Sequence, residues 1–351
     1  MRPIPVDMRR ALSMIPVAVV VTAGFVGPVH AEVGARAATT GRGSDAAVPG
    51  TTCTVFPGDN VWNMDVSKLP VHRKSDVWRK AMHAAHTNLH PDFGPPGYGI
   101  PFDVVDASAV DLVGIDFTYA DESDPGPYPF GPDIHVEGGS DRHAIMIDQQ
   151  DCTLFELFGA RWNAGEATAG SGAIFDLGSN ALRPAGWTSA DAAGLPIFPG
   201  LVRRDEVLAG TIDHAIRVTA DCTTRRYIWP ARHQAGVSDT RCPPMGARFR
   251  LRSGFDASGF SDDARVVVRA MKRYGLIVAD NGSDWYFQGT VDPGWTYAFV
   301  DALKRIPARA FVAVDESGCK VSASSAAFAY GPDCPGPSTA TRARPAALRK
   351  R

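Results

Sequence analysis

Glycine and proline punctuate this chain densely, 35 and 27 of them among 351 residues. Proline removes a backbone donor and clashes with the preceding turn, and glycine inside a helix costs about 1 kcal/mol relative to alanine. A chain so interrupted favours short strands joined by turns over a helical bundle. Hydrophobic residues at 44% still supply a core, and charged residues at 21% match a folded, water-facing surface. That balance argues against a disordered chain and against a multispanning membrane protein.

Short β-rich runs bounded by Gly, Pro, Asp or Asn occur at 112–119, 143–148, 152–158, 212–219, 227–229, 248–251, 276–279, 285–288 and 310–314. The runs at 143–148 and 152–158 flank Gln149-Gln150-Asp151, a connection short enough for a hairpin. Helix signals are few. Ser75 is placed to cap a helix through His86, Ser261 to cap one that stops at Gly275, and Asp292-Pro293 to start a third that ends before Pro307. Two stretches, 120–139 and 159–199, are dominated by Gly, Pro, Ser and Asp and read as long loops, which inside a compact domain are usually functional. The expected fold is mostly β with α+β character at the margins: an antiparallel β-sandwich or distorted barrel with long loops and about three helices.

The amino terminus reads as an export signal. Arg2, Arg9 and Arg10 precede an apolar run from Ala11 to Val26, and Val29-His30-Ala31 offers a signal-peptidase site, so cleavage after Ala31 and a secreted, extracellular product are expected. Gly24, Gly27 and Pro28 leave the run short of the roughly 20 apolar residues a spanning helix needs, and no later run is long enough. Residues 32–52 read as a flexible leader, 53–334 as one β-rich domain, and 335–351 as a basic, disordered tail.

Six cysteines without a Cys-x-x-Cys spacing suit disulfides in such a compartment better than zinc. Locality pairs Cys222 with Cys242 around a hairpin and Cys319 with Cys334, leaving Cys53 for Cys152. Net charge is −2 overall, but between residues 32 and 334 there are 28 basic against 37 acidic residues, or −9. An acidic body with no basic, aromatic-interleaved run argues against nucleic acid.

Several residues are candidates for chemistry. Asp141-Arg142-His143-Ala144-Ile145 and Ile212-Asp213-His214-Ala215-Ile216 echo each other, each with a histidine entering an apolar strand behind an acidic residue. Side by side in a sheet, His143 and His214 would share a metal or act as acid and base; otherwise each bonds within its own strand end. In 152–158 the strand period places Glu156 with Leu154 and Phe158, opposite Phe155 and Leu157. Such desolvation raises a carboxyl pKa and suits a general acid, unless Arg142, Arg161 or Arg217 pairs it. Asp176, Asp191 and Asp280 lie beside Gly and polar residues and are the candidate second carboxylates, while Asp280-Asn281-Gly282 also reads as a hairpin turn and Asn281-Gly282-Ser283 as a glycosylation sequon.

For ligand contact, Trp187, Trp162, Trp285 and Tyr128 offer faces that stack on sugar rings, and Arg183 and Asn281 offer partners for hydroxyls. Asp121-Glu122-Ser123-Asp124 could take Ca²⁺ but lacks the Asp-x-Asp-x-Asp-Gly spacing, and no motif implies another cofactor or a metal centre. No Gly-x-Ser-x-Gly elbow, phosphate loop or dinucleotide fingerprint occurs.

The runs 56–63 (Phe-Pro-Gly-Asp-Asn-Val-Trp-Asn), 119–129, 182–196 and 275–283 resemble stretches of a family of uncharacterised exported bacterial proteins, often actinobacterial. The resemblance spans about 53–315 and implies export and a single unit, without assigning roles to residues. The expected function is that of a secreted glycoside hydrolase acting on an extracellular or cell-wall polysaccharide, with Glu156 as acid. A non-catalytic glycan or envelope-binding protein and a His-ligated metal hydrolase are the alternatives. The expected partner is a polysaccharide or cell-envelope glycan bound by a monomer, with no nucleic acid and no membrane span.

Overall fold

The computed structural model describes residues 47–337, so the signal segment, most of the leader and nearly all of the basic tail lie outside the described residues. In chain order the first elements are α1 (Ser75–Ala81), β1 (His90–Asp92), β2 (Asp103–Val105), β3 (Asp116–Phe117), β4 (Ala144–Asp148) and β5 (Thr153–Phe158). Then come β6 (Arg161–Asn163), β7 (Glu166–Ala169), β8 (Ser171–Asp176), α2 (Arg204–Ala209), β9 (Ile216–Ala220) and β10 (Arg248–Leu251). The last are α3 (Asp262–Arg273), β11 (Leu276–Asn281), β12 (Tyr286–Gln288), α4 (Tyr297–Leu303) and β13 (Phe311–Ala313).

Three sheets result, with strand orders β1-β12-β9-β11-β10-β13, β2-β4-β5-β8 and β3-β7-β6. The fold is mostly β and sandwich-like, and among the described residues no sheet closes into a barrel. Pairing is mixed: β1 with β12, β9 with β11, β2 with β4 and β3 with β7 run parallel, the other pairs antiparallel.

Strand period explains the layering. In β4 and β5, Ile145, Ile147 and Leu154 point into the main core with β9, β10 and β11, while Ala144, Met146, Phe155 and Leu157 point into a second core. The three-stranded sheet covers that second core with Ala167, Ala169 and the half-buried Trp162 and Phe117. Glu156 therefore faces the main core, on the side the alternation predicts.

The β4–β5 hairpin forms as its short connection predicts. The stretch 159–199 is not all loop, because it carries β6, β7 and β8. Ala164 and Gly165 both take positive φ, 50° and 95°, which lets β6 turn back into β7 within two residues. The run at 227–229 makes only an isolated bridge, Tyr227 to Met245. Among the helices, α3 begins at the Ser261 cap and ends before Gly275, whose φ of 74° suits glycine. α1 stops at Ala81 rather than His86, and Ser75 is not its cap, since its hydroxyl accepts the Ala313 amide at 2.9 Å. Thr296, not Asp292, caps α4. A fourth helix, α2, which the sequence expectations did not include, ends at Gly210 in the left-handed conformation, φ 81°.

All six cysteines are paired, Cys53 with Cys152, Cys222 with Cys242 and Cys319 with Cys334, at Cα separations of 5.4, 5.5 and 4.8 Å. Three disulfides belong with an oxidising, extracellular compartment. The Cys222 pair closes an irregular loop instead of a hairpin, bridged once in parallel at Thr224 and Val237. Among the described residues no helix is long and apolar enough to cross a membrane.

Candidate functional site

Cross-strand pairing sets two rows of side chains on the inner face of the four-stranded sheet. Ala144 opposite Leu157 and Phe158 opposite Ser171 put His143, Phe158 and Ser171 in the row at the sheet's end. Ile145, Glu156 and Ala173 form the next row inward. Phe158 and Ser171 line a cavity of about 330 Å³ whose other walls include Tyr119, Glu122, His233 and Asp280. That volume lies at the small end of ligand pockets.

Glu156, one row deeper, does not reach this cavity. Its side chain is fully buried, and its two oxygens accept the amides of Ile197 at 2.9 and 3.0 Å and of Phe198 at 2.8 Å. None of Arg142, Arg161 and Arg217 bonds it. Burial pushes its carboxyl up to about 7, against the downward pull of the two amides and His143. It clamps the turn at 197–200 between the sheets, where Gly200 packs so closely that a Cβ would lie 2.9 Å from Arg217 Cβ and Trp62 Cζ3.

Asp280 is the carboxyl that opens into the cavity. Strand β11 pairs in parallel with β9, Ile277 beside Arg217, and then slips by one residue so that Asp280 stands beside Thr219. Without that bulge, alternation from Ile277 would put Ala279 on the Arg217 face; the extra residue brings Asp280 there instead. Asp280 Oδ2 sits 3.6 Å from Arg217 Nη2, with the side chain 23% exposed. Arg217 is buried and holds the buried Asp191 through Nε at 2.9 Å and through Nη2. Burial, then the Asp191 charge and hydrogen bond, hold the Asp280 carboxyl well above the usual range despite Arg217. The result is a carboxyl disposed to keep its proton, beside the buried Asp191–Arg217 pair and open to the cavity.

Other charges frame this pair. His143 is buried, with Nδ1 2.5 Å from Glu137 Oε2 and Nε2 without a hydrogen-bond partner. Burial opposes its charge, but the Glu137 bond and charge outweigh burial and raise its pKa. On the cavity wall Glu122 Oε2 accepts the Thr188 amide at 3.1 Å and lies 3.5 Å from His233 Nε2. His233 Nδ1 donates to the Ala192 carbonyl at 2.8 Å. Buried Arg183 ties these walls together, bonding Asp124, the Glu122 carbonyl at 2.9 Å and the Thr188 carbonyl at 2.7 Å.

The remaining sequence candidates take other places. His214 lies on the approach to β9, in a different sheet from His143, and is bound to Glu206 at 3.1 Å and the Ala215 carbonyl at 2.7 Å. Each histidine of the echo thus meets a carboxylate, but Glu137 and Glu206 fill that role rather than Asp141 and Asp213. Among the described residues no group of three or more His, Cys, Asp or Glu is placed to hold a metal. Asp124 and Glu122 of the suggested calcium segment are turned to Arg183 and Thr188. Asp176 is exposed and closes a turn through the Gly178 amide at 2.7 Å.

Trp285 and Tyr128 are core residues, donating to the carbonyls of Met82 and Asp124 at 2.7 Å each. Trp162 packs edge-on against Phe130 in the second core. Trp187 is half-buried, with the Arg183 guanidinium 5.6 Å over its ring, and does not line the cavity. Asn281 braces the cavity rim, donating to the Ala235 carbonyl at 2.7 Å and accepting from Thr223 at 2.7 Å. Glu122, Glu137 and His233 are the residues that sequence reasoning missed. Glu122 stood only in the calcium segment, and no spacing rule joins it to His233. Comparison with protein-family models, curated proteins and solved structures finds no match for this chain.

Proposed function

We propose that the chain is a secreted glycoside hydrolase acting on an extracellular or cell-wall polysaccharide, with the Asp280 cavity as its site. The observation that carries this reading is geometric: Asp280, a carboxyl whose pKa is raised, opens into a cavity whose wall also holds a second carboxyl, Glu122. Glycoside cleavage needs one carboxyl to protonate the departing oxygen and another to act on the opposite side of the ring. Asp280 gives its proton to the glycosidic oxygen; burial and Asp191 keep it protonated beforehand, and Arg217 stabilises the carboxylate it becomes. Glu122 accepts a proton from the attacking water, and Tyr119, 54% exposed, supplies a face for the sugar.

The burial of Glu156, which removes the acid expected from the sequence, favours, as a second reading, a glycan-binding protein without turnover. A reducing-sugar screen with the mature protein and its Asp280→Asn and Glu122→Gln variants tests both. Each variant is expected to lose about 10² to 10⁴-fold in kcat. Turnover unchanged in Asp280→Asn refutes the assignment of the acid, and tight glycan binding without turnover in the parent selects the second reading.

A further inference from the structure

Strand β10 and its exit carry Arg248-Phe249-Arg250-Leu251-Arg252, in which alternate residues face opposite sides. Phe249 and Leu251 fill the core. Arg248, on the other side, is buried and neutralised by Glu316 at 3.2 Å, with the carbonyls of Val61, Met64 and Tyr274 as further acceptors. Arg250 and Arg252 continue the row into an open groove of about 620 Å³, lined also by Arg309 and Phe255. Spaced two apart, these arginines do not stand out as a basic run in the sequence.

The groove is cationic, and two of its three guanidinium groups, those of Arg250 and Arg252, are held in place by carbonyls. Among the described residues, none of Arg250, Arg252 and Arg309 has a carboxylate within 4.0 Å. The acidic charge that acts on Arg250 is Asp65, which is itself paired with Arg273 at 2.9 Å. Arg250 is pinned by the carbonyls of Val66 and Leu69, at 2.5 and 3.1 Å. Arg252 and Arg79 both donate to the Arg309 carbonyl, at 2.7 and 3.1 Å; Arg79 is also paired with Asp76 at 2.7 Å, whereas Arg252 has no such partner among the described residues. Lys272 adds a further charge at the lip by capping the carbonyls of Ser253 and Phe255. Guanidinium forks held by carbonyls keep their remaining N–H groups for planar oxyanions.

We propose that this groove binds a linear polyanion of the cell exterior, a chain bearing a phosphate or a carboxylate on each repeat. Arg250 and Arg252 are two strand residues apart, about 7 Å, which suits successive anionic groups on an extended chain better than a single ion. The three disulfides point to an extracellular ligand. A nucleic acid is disfavoured because single-strand binding needs free stacking faces, and Phe255 is the one aromatic ring lining the groove. The groove shares no lining residue with the Asp280 cavity, so the two proposals fail independently.

Calorimetric titration of the mature protein with poly(glycerol phosphate), polygalacturonate, neutral dextran and an oligothymidylate tests the assignment. At least one of the two anionic polymers is expected to bind at about 50 mM salt and to weaken about tenfold or more by about 300 mM. The one that binds more tightly identifies phosphate or carboxylate as the group recognised. The Arg252→Ala/Arg309→Ala double variant is expected to bind about tenfold more weakly with unchanged thermal unfolding, and the exposed Arg226→Ala to bind as the parent does. No binding of either polymer at low salt, unchanged binding in the double variant, or dextran binding equal to theirs overturns the proposal. Tighter binding of the oligothymidylate overturns the choice of polymer.

Discussion

Replacing Glu156 by Gln removes a buried titration from the middle of the fold, and its effect on stability should depend on pH. Two forces compete at this carboxyl: burial favours the neutral form, while the amides of Ile197 and Phe198 favour the charged one. Burial wins, raising the group from 4.5 to about 7 in the folded state. A carboxyl that holds its proton more tightly when folded makes the folded state lose stability as pH rises from the unfolded value to the folded one. A shift of this size corresponds to about 3 kcal/mol at 1.36 kcal/mol per unit, present below pH 4.5 and lost above about pH 7.

Glutamine does not titrate, so the variant should lack this part of the pH dependence while Glu316 and Asp280 contribute equally to both proteins. Guanidinium unfolding with disulfides intact, at about pH 4.5, 6 and 7.5, gives the stability difference, parent minus variant. That difference should fall by about 3 kcal/mol across the range. A constant difference would mean that the amides cancel the cost of burial. A difference that grows with pH would mean that they dominate, and either result refutes the reasoning.

Arg217→Met leaves Asp191 buried beside Asp280 without its cation and should cost about 3 to 5 kcal/mol in chemical denaturation, with the Arg217→Met/Asp191→Asn double variant recovering much of the loss. A loss in the double variant equal to the sum of the Arg217→Met and Asp191→Asn losses would show that the pair is not coupled. Mass spectrometry of the secreted protein after alkylation without reductant should find no modified cysteine, and two or more modified residues would contradict the three bridges. The Cys53→Ser/Cys152→Ser variant opens a loop of 99 residues and should lose about 2 to 5 kcal/mol of stability, read as a lower denaturation midpoint; an unchanged midpoint would show that the bridge adds nothing.

Local rules were sufficient for much of this architecture. Strand period places Glu156, Leu154 and Phe158 on one face of β5 because alternation depends only on the backbone of the strand itself. The Ser261 cap and Gly275 stop bound α3 for the same reason, since each acts within one turn of the helix. Odd pieces such as the β6–β7 hairpin escaped because Ala164, a residue that rarely takes positive φ, supplies half of the turn.

The candidate site obeys longer-range determinants. Whether Glu156 serves as an acid is decided by amides 41 and 42 residues downstream, which seal it. Asp280 resembles a turn residue until the slip between β9 and β11 rotates it onto the face of Arg217. A one-residue slip reverses which side chains share a face, and it is specified by pairing between strands, not by either strand alone. The amino-acid sequence by itself determined the β-rich class and the face of an unbroken strand such as β5, and locality along it pointed to the cysteine partners that the structure joins. Only the tertiary structure decided which carboxyl meets solvent, because desolvation and charge at a buried group are set by neighbours brought in from distant parts of the chain.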